Sequence, residues 1–182
     1  MTIIIVLLII VVIAAALIGI YNSLVRLKNK AEEAEAGIDA HLKQRYDLIP
    51  NLVETVKGYA KHESSTLEAV IQARLSAMTA TTTEAKDEAN NVLSGTLKSL
   101  FALSESYPDL KANTNFLNLQ DKLTGIESEL LSARKYYNAV ARTFNDKAMV
   151  FPSSIVASMF HFKKLSYVQI ESEARENVKV QF

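Results

Sequence analysis

From Ile3 to Ile20 the chain runs eighteen residues without a polar side chain, and the uncharged stretch continues through Val25. As a helix rising 1.5 Å per residue, eighteen residues span about 27 Å, close to the thickness of a bilayer's hydrocarbon core. Every charged residue lies after position 25, so the first 25 residues and the remainder behave as separate objects. Residues 1–25 are expected to be a transmembrane anchor, its length marked by Ile3, Leu7, Ile10, Ile13, Leu17 and Ile20; residues 26–160 a water-soluble helical domain; and residues 161–182 a C-terminal tail. A cleaved signal peptide is the rival reading, since Ala14-Ala15-Ala16 offers small residues for cleavage. Two features favour the anchor: no Lys or Arg precedes the run, and Leu17 to Ile20 prolong it beyond that point. Arg26, Lys28 and Lys30 follow the span, which predicts an N-terminus outside and a domain in the cytoplasm. Tyr21 suits the membrane interface, and Ala15 with Gly19 forms a small-xxx-small pair.

Composition removes several classes of function. The absence of Cys excludes disulfides, Cys-ligated zinc, iron–sulfur clusters, a thiol nucleophile and a lipidated N-terminal Cys. Twenty basic residues balance twenty acidic ones, with no Lys/Arg run long enough to make a basic patch, so nucleic acid is not an expected partner.

Only eight residues are Gly or Pro, and apolar positions recur at three and four rather than two, which predicts an all-α chain. Leu24, Leu27, Ala31, Ala34, Ile38, Leu42, Arg45, Ile49, Leu52, Val56 and Ala60 hold one helical phase, so the anchor is expected to run straight into the first helix of the soluble domain. Pro50 removes a backbone donor and crowds the Tyr46 carbonyl, yet the phase crosses it unchanged, which predicts a kink rather than a loop. Ser65-Thr66-Leu67-Glu68 reads as a capping box opening a second helix, and the run Thr79 to Thr83 ends it. A third helix presents Val92, Leu93, Leu97, Leu100, Leu103 and Tyr107 to the core, with Pro108 as its stop. In a fourth, Phe116, Leu119, Leu123, Ile126, Leu130, Ala133, Tyr137, Val140 and Phe144 alternate spacings of three and four, a coiled-coil-like seam. Pro152 is a further stop, followed by a Ser N-cap and one short helix from Ile155 to Phe160. The expected fold is therefore an up-down, four-helix-bundle-like domain of long helices continuous with the anchor.

Catalytic and metal-binding patterns do not assemble. The residues three before His41, His62 and His161 are Ile38, Tyr59 and Ser158, so no Glu-x-x-His pair of a di-iron bundle exists. His62-Glu63 begins like a zinc-protease motif, but Thr66 stands where the second His belongs. The five glycines are isolated and form no phosphate-binding loop. No cofactor, metal or small-molecule substrate is expected. The unusual polar residues lie on or beside the apolar seams: Arg45 in core phase, next to Tyr46 and Asp47 and ahead of Pro50 and Asn51, and Arg134 with Asn138 on one face of the fourth helix. Two roles fit them, a recognition patch or intra-bundle bonds that fix helix register, and the second is favoured.

Several blocks in order resemble the LemA family across nearly the whole chain. They are Tyr21-Asn22-Ser23-Leu24-Val25; Arg45-Tyr46-Asp47-Leu48-Ile49-Pro50-Asn51-Leu52-Val53; Val56-Lys57-Gly58-Tyr59-Ala60; Ala73-Arg74; Tyr107-Pro108-Asp109-Leu110-Lys111-Ala112-Asn113 with Phe116; Ala133-Arg134; Tyr137-Asn138; and Phe151-Pro152-Ser153. The resemblance implies a bacterial membrane protein with an N-terminal span and a bundle of about four helices, and it implies no reaction; the membrane expected here is the inner or plasma membrane. Its polar residues Arg45, Asp47, Asn51, Arg74, Asp109, Asn113, Arg134 and Asn138 are expected to be structural. The stretch Glu32 to Gly37 departs from the family's more aromatic pattern.

Together these readings predict a non-enzymatic, single-pass membrane protein whose partners are the lipid bilayer, further copies of itself and an unidentified protein. Its role would be an oligomerisation or partner-docking scaffold. The alternative is an accessory or regulatory subunit of a membrane-associated protease or ATPase complex, docked through the tail from His161.

Overall fold

The computed structural model describes residues 1–170. Six helices occupy 84% of them, with no strand among the described residues. They are α1 (Thr2–Tyr59), α2 (Ser64–Thr79), α3 (Thr83–Ser104), α4 (Pro108–Lys111), α5 (Thr114–Met149) and α6 (Ser153–Met159). As expected from the unbroken phase, the apolar run and the first soluble helix are one helix, and Pro50 lies inside it without a loop.

The structure corrects the sequence reading at three helix boundaries and at one core position. Ser65 does not cap α2: the N-cap is Glu63, with no side-chain cap bond, and both serines are already helical. The Glu63 carboxylate is instead engaged by the Tyr107 hydroxyl, 3.0 Å away. Pro108 is not the residue that stops α3, which ends at Ser104; Pro108 opens α4, where its missing N–H costs nothing because first-turn amides have no intrahelical partner. Ser153 is the first residue of α6 rather than its cap, and its hydroxyl turns back to donate to the Lys147 and Val150 carbonyls at the end of α5. Val92 is 55% exposed, because the buried phase of α3 passes through Asp87, Asn90, Leu93, Leu97 and Leu100.

The chain divides into two compact units. The first comprises residues 1–37 and 135–167. Residues 2–19 of α1 are exposed, and burial begins at Leu24, which packs with Phe144, Val156 and Ala157, bordered by Ile20, Leu27, Ala148, Phe162 and Leu165. Fully burying a Leu or Phe contributes roughly 1.5–3 kcal/mol, so these few side chains carry much of the unit. Helix α6 ends in a Schellman turn: Phe162 N–H reaches the Ala157 carbonyl at 2.9 Å and His161 N–H the Ser158 carbonyl at 3.2 Å, with His161 left-handed at φ 57°. The turn sends the chain back as an extended segment whose backbone has no ladder. Buried Asn145 supplies the missing partners, its amide donating to the Leu165 carbonyl (2.9 Å) and its oxygen accepting from Leu165 N–H (2.8 Å), while the Tyr137 hydroxyl donates to the Ser166 carbonyl (3.0 Å).

The second unit comprises residues 38–134 and the stretch that begins at Val168. The C-terminal part of α1, helices α2, α3 and α4, and the N-terminal part of α5 supply a core that includes Ile49, Leu52, Leu93, Leu100, Phe116 and Leu123. Thr82 caps α3 by accepting from Ala85 N–H at 3.2 Å, and Asn113 caps α5 by accepting from Phe116 N–H at 3.0 Å. The outer part of the expected tail, residues 171–182, lies outside the described residues.

A polar network at the candidate functional site

Four of the polar residues singled out in the sequence, Arg45, Arg74, Asn113 and Arg134, lie in the second unit and each ties one helix to another. Arg45 lies in core phase on α1 and is 1% exposed, so its guanidinium requires partners. Nη2 is 2.7 Å from Glu127 Oε1 on α5 and 2.7 Å from Ser94 Oγ on α3. The Glu127 side chain is 42% exposed, so its carboxylate stays partly hydrated while reaching the buried cation, which limits the desolvation cost of the pair.

One residue on, Tyr46 donates its hydroxyl to Asn90 Oδ1 at 3.0 Å, and Asn90 donates its own amide to the Lys86 carbonyl at 2.8 Å. Burial raises the Tyr46 hydroxyl above its ordinary pKa, which keeps it a donor. The Tyr46 backbone matters as much as its ring. In a regular helix the residue-50 amide would donate to the Tyr46 carbonyl, but Pro50 has no N–H. Arg74 fills that vacancy from α2, its Nε donating to the Tyr46 carbonyl at 2.8 Å. Pro50 and Arg74 thus form one device, in which a helix defect becomes the acceptor for a cross-helix bond.

Two further links complete the network. Arg134 and Asp87, both 7% exposed, face each other across α5 and α3 with Nη2 and Oδ1 3.8 Å apart, and the other Asp87 oxygen accepts from Gln169 N–H at 3.0 Å. Asn113, besides capping α5, donates to the Tyr59 hydroxyl at 2.9 Å, joining the end of α1 to the start of α5. The Tyr107 hydroxyl is held protonated by the acceptor it faces, the Glu63 carboxylate, which raises its pKa.

Other residues of the expected set stand outside this network. Asp47 is exposed and pairs with Lys43 one turn back at 2.7 Å; Asn51 is exposed and its carbonyl accepts from the Thr55 hydroxyl; Asp109 is exposed in the first turn of α4. Asn138 is half-buried on α5. In the first unit, Ile3, Leu7, Ile10, Ile13 and Leu17 are exposed along the apolar part of α1, whereas Ile20 has turned to the edge of the unit's core. Pro152 sits just before α6. Asp87, Asn90, Ser94 and Glu127 escaped sequence reasoning. For Asp87 and Asn90 a signal existed, since they extend the Leu93, Leu97, Leu100 phase backward by steps of three; Glu127 shows none.

The chemistry available is limited. Among the described residues no group of three His, Cys, Asp or Glu side chains is placed to hold a metal ion. An open depression of about 390 Å³ is lined by Gln44, Asp47, Leu48, Lys122, Gly125, Ile126 and Glu129. His41 approaches it, with Nδ1 3.3 Å from Glu129 Oε2 but no hydrogen bond at that nitrogen, and no Ser or Thr lines the depression to complete a nucleophilic set.

Comparison with known proteins matches the sequence to a family. The family model described as LemA covers residues 34–182. A curated relative, Protein LemA of Metamycoplasma hominis, is 28% identical over 166 residues, covering 88% of this chain and 74% of the relative. The family match begins within α1 beyond the apolar run and takes in every polar residue of the network. An alignment that spans four fifths of the chain, together with the resembling blocks on which the helices are cross-linked, means that the chain belongs to the LemA family.

Proposed function

We propose that the chain is a non-enzymatic, single-pass membrane protein whose soluble helices serve as an oligomerisation or partner-docking scaffold. The observation that carries this reading lies within one helix. The apolar stretch of α1 is long and apolar enough to cross a membrane, and none of its residues is buried against the other described residues; from Leu24 onward the same helix carries buried core positions. Such a helix joins a bilayer to a folded domain without a flexible linker. In the second unit α1, α2, α3 and α5 are read as an up-down four-helix bundle, since connections of three to nine residues favour antiparallel neighbours. Arg26, Lys28 and Lys30 favour a cytoplasmic location for everything after the span. The polar network supports a scaffold over an enzyme, because its members bond to one another rather than converge on a cleft.

The test uses the absence of Cys. Single cysteines at Lys28 and Lys163 are introduced into the full chain, crosslinked in intact cells, and the products identified by mass spectrometry. Products that contain only this chain support a self-assembling scaffold. A stoichiometric second protein favours an accessory subunit instead. Absence of any product at native abundance removes the oligomer. Labelling of the Lys163 position by a membrane-impermeant maleimide before permeabilisation would overturn the proposed orientation.

A further inference from the structure

A cluster of large apolar side chains in the first unit is left largely uncovered by the described residues. Between α5 and the end of α6, Met149, Val150, Phe151, Ile155, Met159 and Phe160 are all at least half exposed, Phe151 by 80%. On α6, Ile155 and Met159 lie one turn apart on the side away from Val156 and Ala157, which are buried in the unit's core, and Phe151 precedes the helix in the turn after α5. Helix α6 is therefore apolar on two faces with only one covered. So many large apolar groups within twelve residues form a patch of the kind that marks an interaction surface rather than scattered exposure.

The same unit determines what covers it. The Tyr21 ring lies 4.6 Å from that of Phe160 and 5.9 Å from that of Phe162. Ile20 borders the core that holds Val156 and Ala157, and Lys147 Nζ bonds Ser23 Oγ at the end of α5. These contacts fix α6 at the level of residues 20–23. The apolar run from Ile3 to Ile20 spans about 27 Å against a hydrocarbon core about 30 Å thick, so the edge of the core falls at this level. Beyond it the headgroup zone extends about 5–8 Å on each side. Phe160 is therefore within that zone by its distance to Tyr21. Lys163 and Lys164, exposed directly after the turn, suit anionic headgroups.

We propose that the segment from Met149 to Phe160 is an interfacial membrane anchor, lying among the lipid headgroups beside the span with Phe151, Ile155 and Met159 inserted toward the acyl chains. This rests on the reading of α1 as a membrane span, and the test separates the two. The chain has no Trp, so a single Phe151→Trp, Ile155→Trp or Ile10→Trp substitution in the full protein gives one fluorophore at an exposed position. Each variant is placed in phosphatidylcholine/phosphatidylglycerol nanodiscs and quenched by lipids brominated near the headgroup or near the methyl end, and separately by aqueous iodide. The reporters at 151 and 155 are expected to lose most of their emission to shallow bromines, less to deep ones, and little to iodide; the reporter at 10 should respond to deep bromines. If position 10 is quenched by lipid while 151 and 155 respond only to iodide, the span stands and the interfacial anchor is overturned. If 151 and 155 respond to neither quencher, a second copy or another protein covers them and the proposal fails. If position 10 also escapes the lipids, span and anchor fall together.

Discussion

The two units use their buried polar groups for opposite purposes. In the second, Arg45, Tyr46, Asn90 and Arg134 are mid-helix, where the backbone already satisfies itself, so their side chains are free to join helix to helix, and Asp87 alone divides its carboxylate between Arg134 and the extended backbone at Gln169. In the first, Asn145 turns inward to satisfy the backbone of an extended return segment, and the core around it is apolar. Where a chain is regular, buried polar side chains select which helices meet and in what register; where it is irregular, they substitute for missing secondary structure. Pro50 brings both purposes together: it breaks the regularity of α1 at one carbonyl, and Arg74 repairs the break from another helix.

The contrast can be broken at either end, and the apolar core should give the largest effect. Phe144→Ala in the full protein in detergent micelles is expected to cost about 3–5 kcal/mol, the range for removing a buried aromatic. Hydrogen exchange should show protection lost first in residues 135–167. Equal loss across residues 38–134 would mean the first core does not act as its own unit. Arg45→Ala should cost about 3 kcal/mol, the lower end for breaking a buried ion pair, because Glu127 can return to water. Arg45→Met, which keeps the volume, should cost less in the same denaturation series; a cost equal to that of Ala would mean that charge, not packing, dominates the site.

Asn145→Ala tests the opposite use. It leaves the amide and carbonyl of Leu165 without partners and should cost about 1–3 kcal/mol. Limited proteolysis should then cut between residues 160 and 170, and resistance there would show that Phe162 and Leu165 hold the segment without the amide. The smallest expected effect is in alkali. Burial raises the Tyr46 pKa above 10.0. The unfolded chain therefore releases this proton first, so the contribution to stability is complete below pH 10 and declines as pH rises from 10 through the folded value. Tyr46→Phe should reduce the alkaline decline in melting temperature, leaving the part contributed by Tyr107 and Tyr137, whose pKa values are also raised. An unchanged slope would remove Tyr46 from the titration.

Much of the fold was legible because helical phase survives wherever apolar residues carry it. The steps from Leu24 to Ala60 located a buried face on α1 and flagged Arg45 as an intruder, which is 1% exposed. Phase failed where polar groups took it over. On α3 the buried line runs Asp87, Asn90, Leu93, Leu97, Leu100, and a reading keyed to hydrophobicity found its three leucines, missed Asp87 and Asn90, and added the exposed Val92. Local capping grammar failed at α2, where the helix starts at Ser64, one residue before the expected cap, and the Glu68 carboxylate accepts from Gln72 one turn on. Cross-helix partners such as Glu127 and Ser94 were illegible, because nothing in their own neighbourhoods records that a guanidinium from α1 arrives there. Pro50 had pointed to a disturbed Tyr46 carbonyl, but not to Arg74 as its repair.

The claim that the family's polar residues hold helices together is tested most directly by a double-mutant cycle on Pro50→Ala and Arg74→Ala, measured by urea denaturation of the full chain in micelles. Alone, Arg74→Ala leaves the Tyr46 carbonyl without a donor and is expected to cost about 1–3 kcal/mol. With Pro50→Ala in place, the restored residue-50 amide supplies that donor, so the same substitution should cost less by about 1 kcal/mol or more. Additive costs within about 0.3–0.5 kcal/mol would contradict it and return Arg74 to the pool of residues without a structural role.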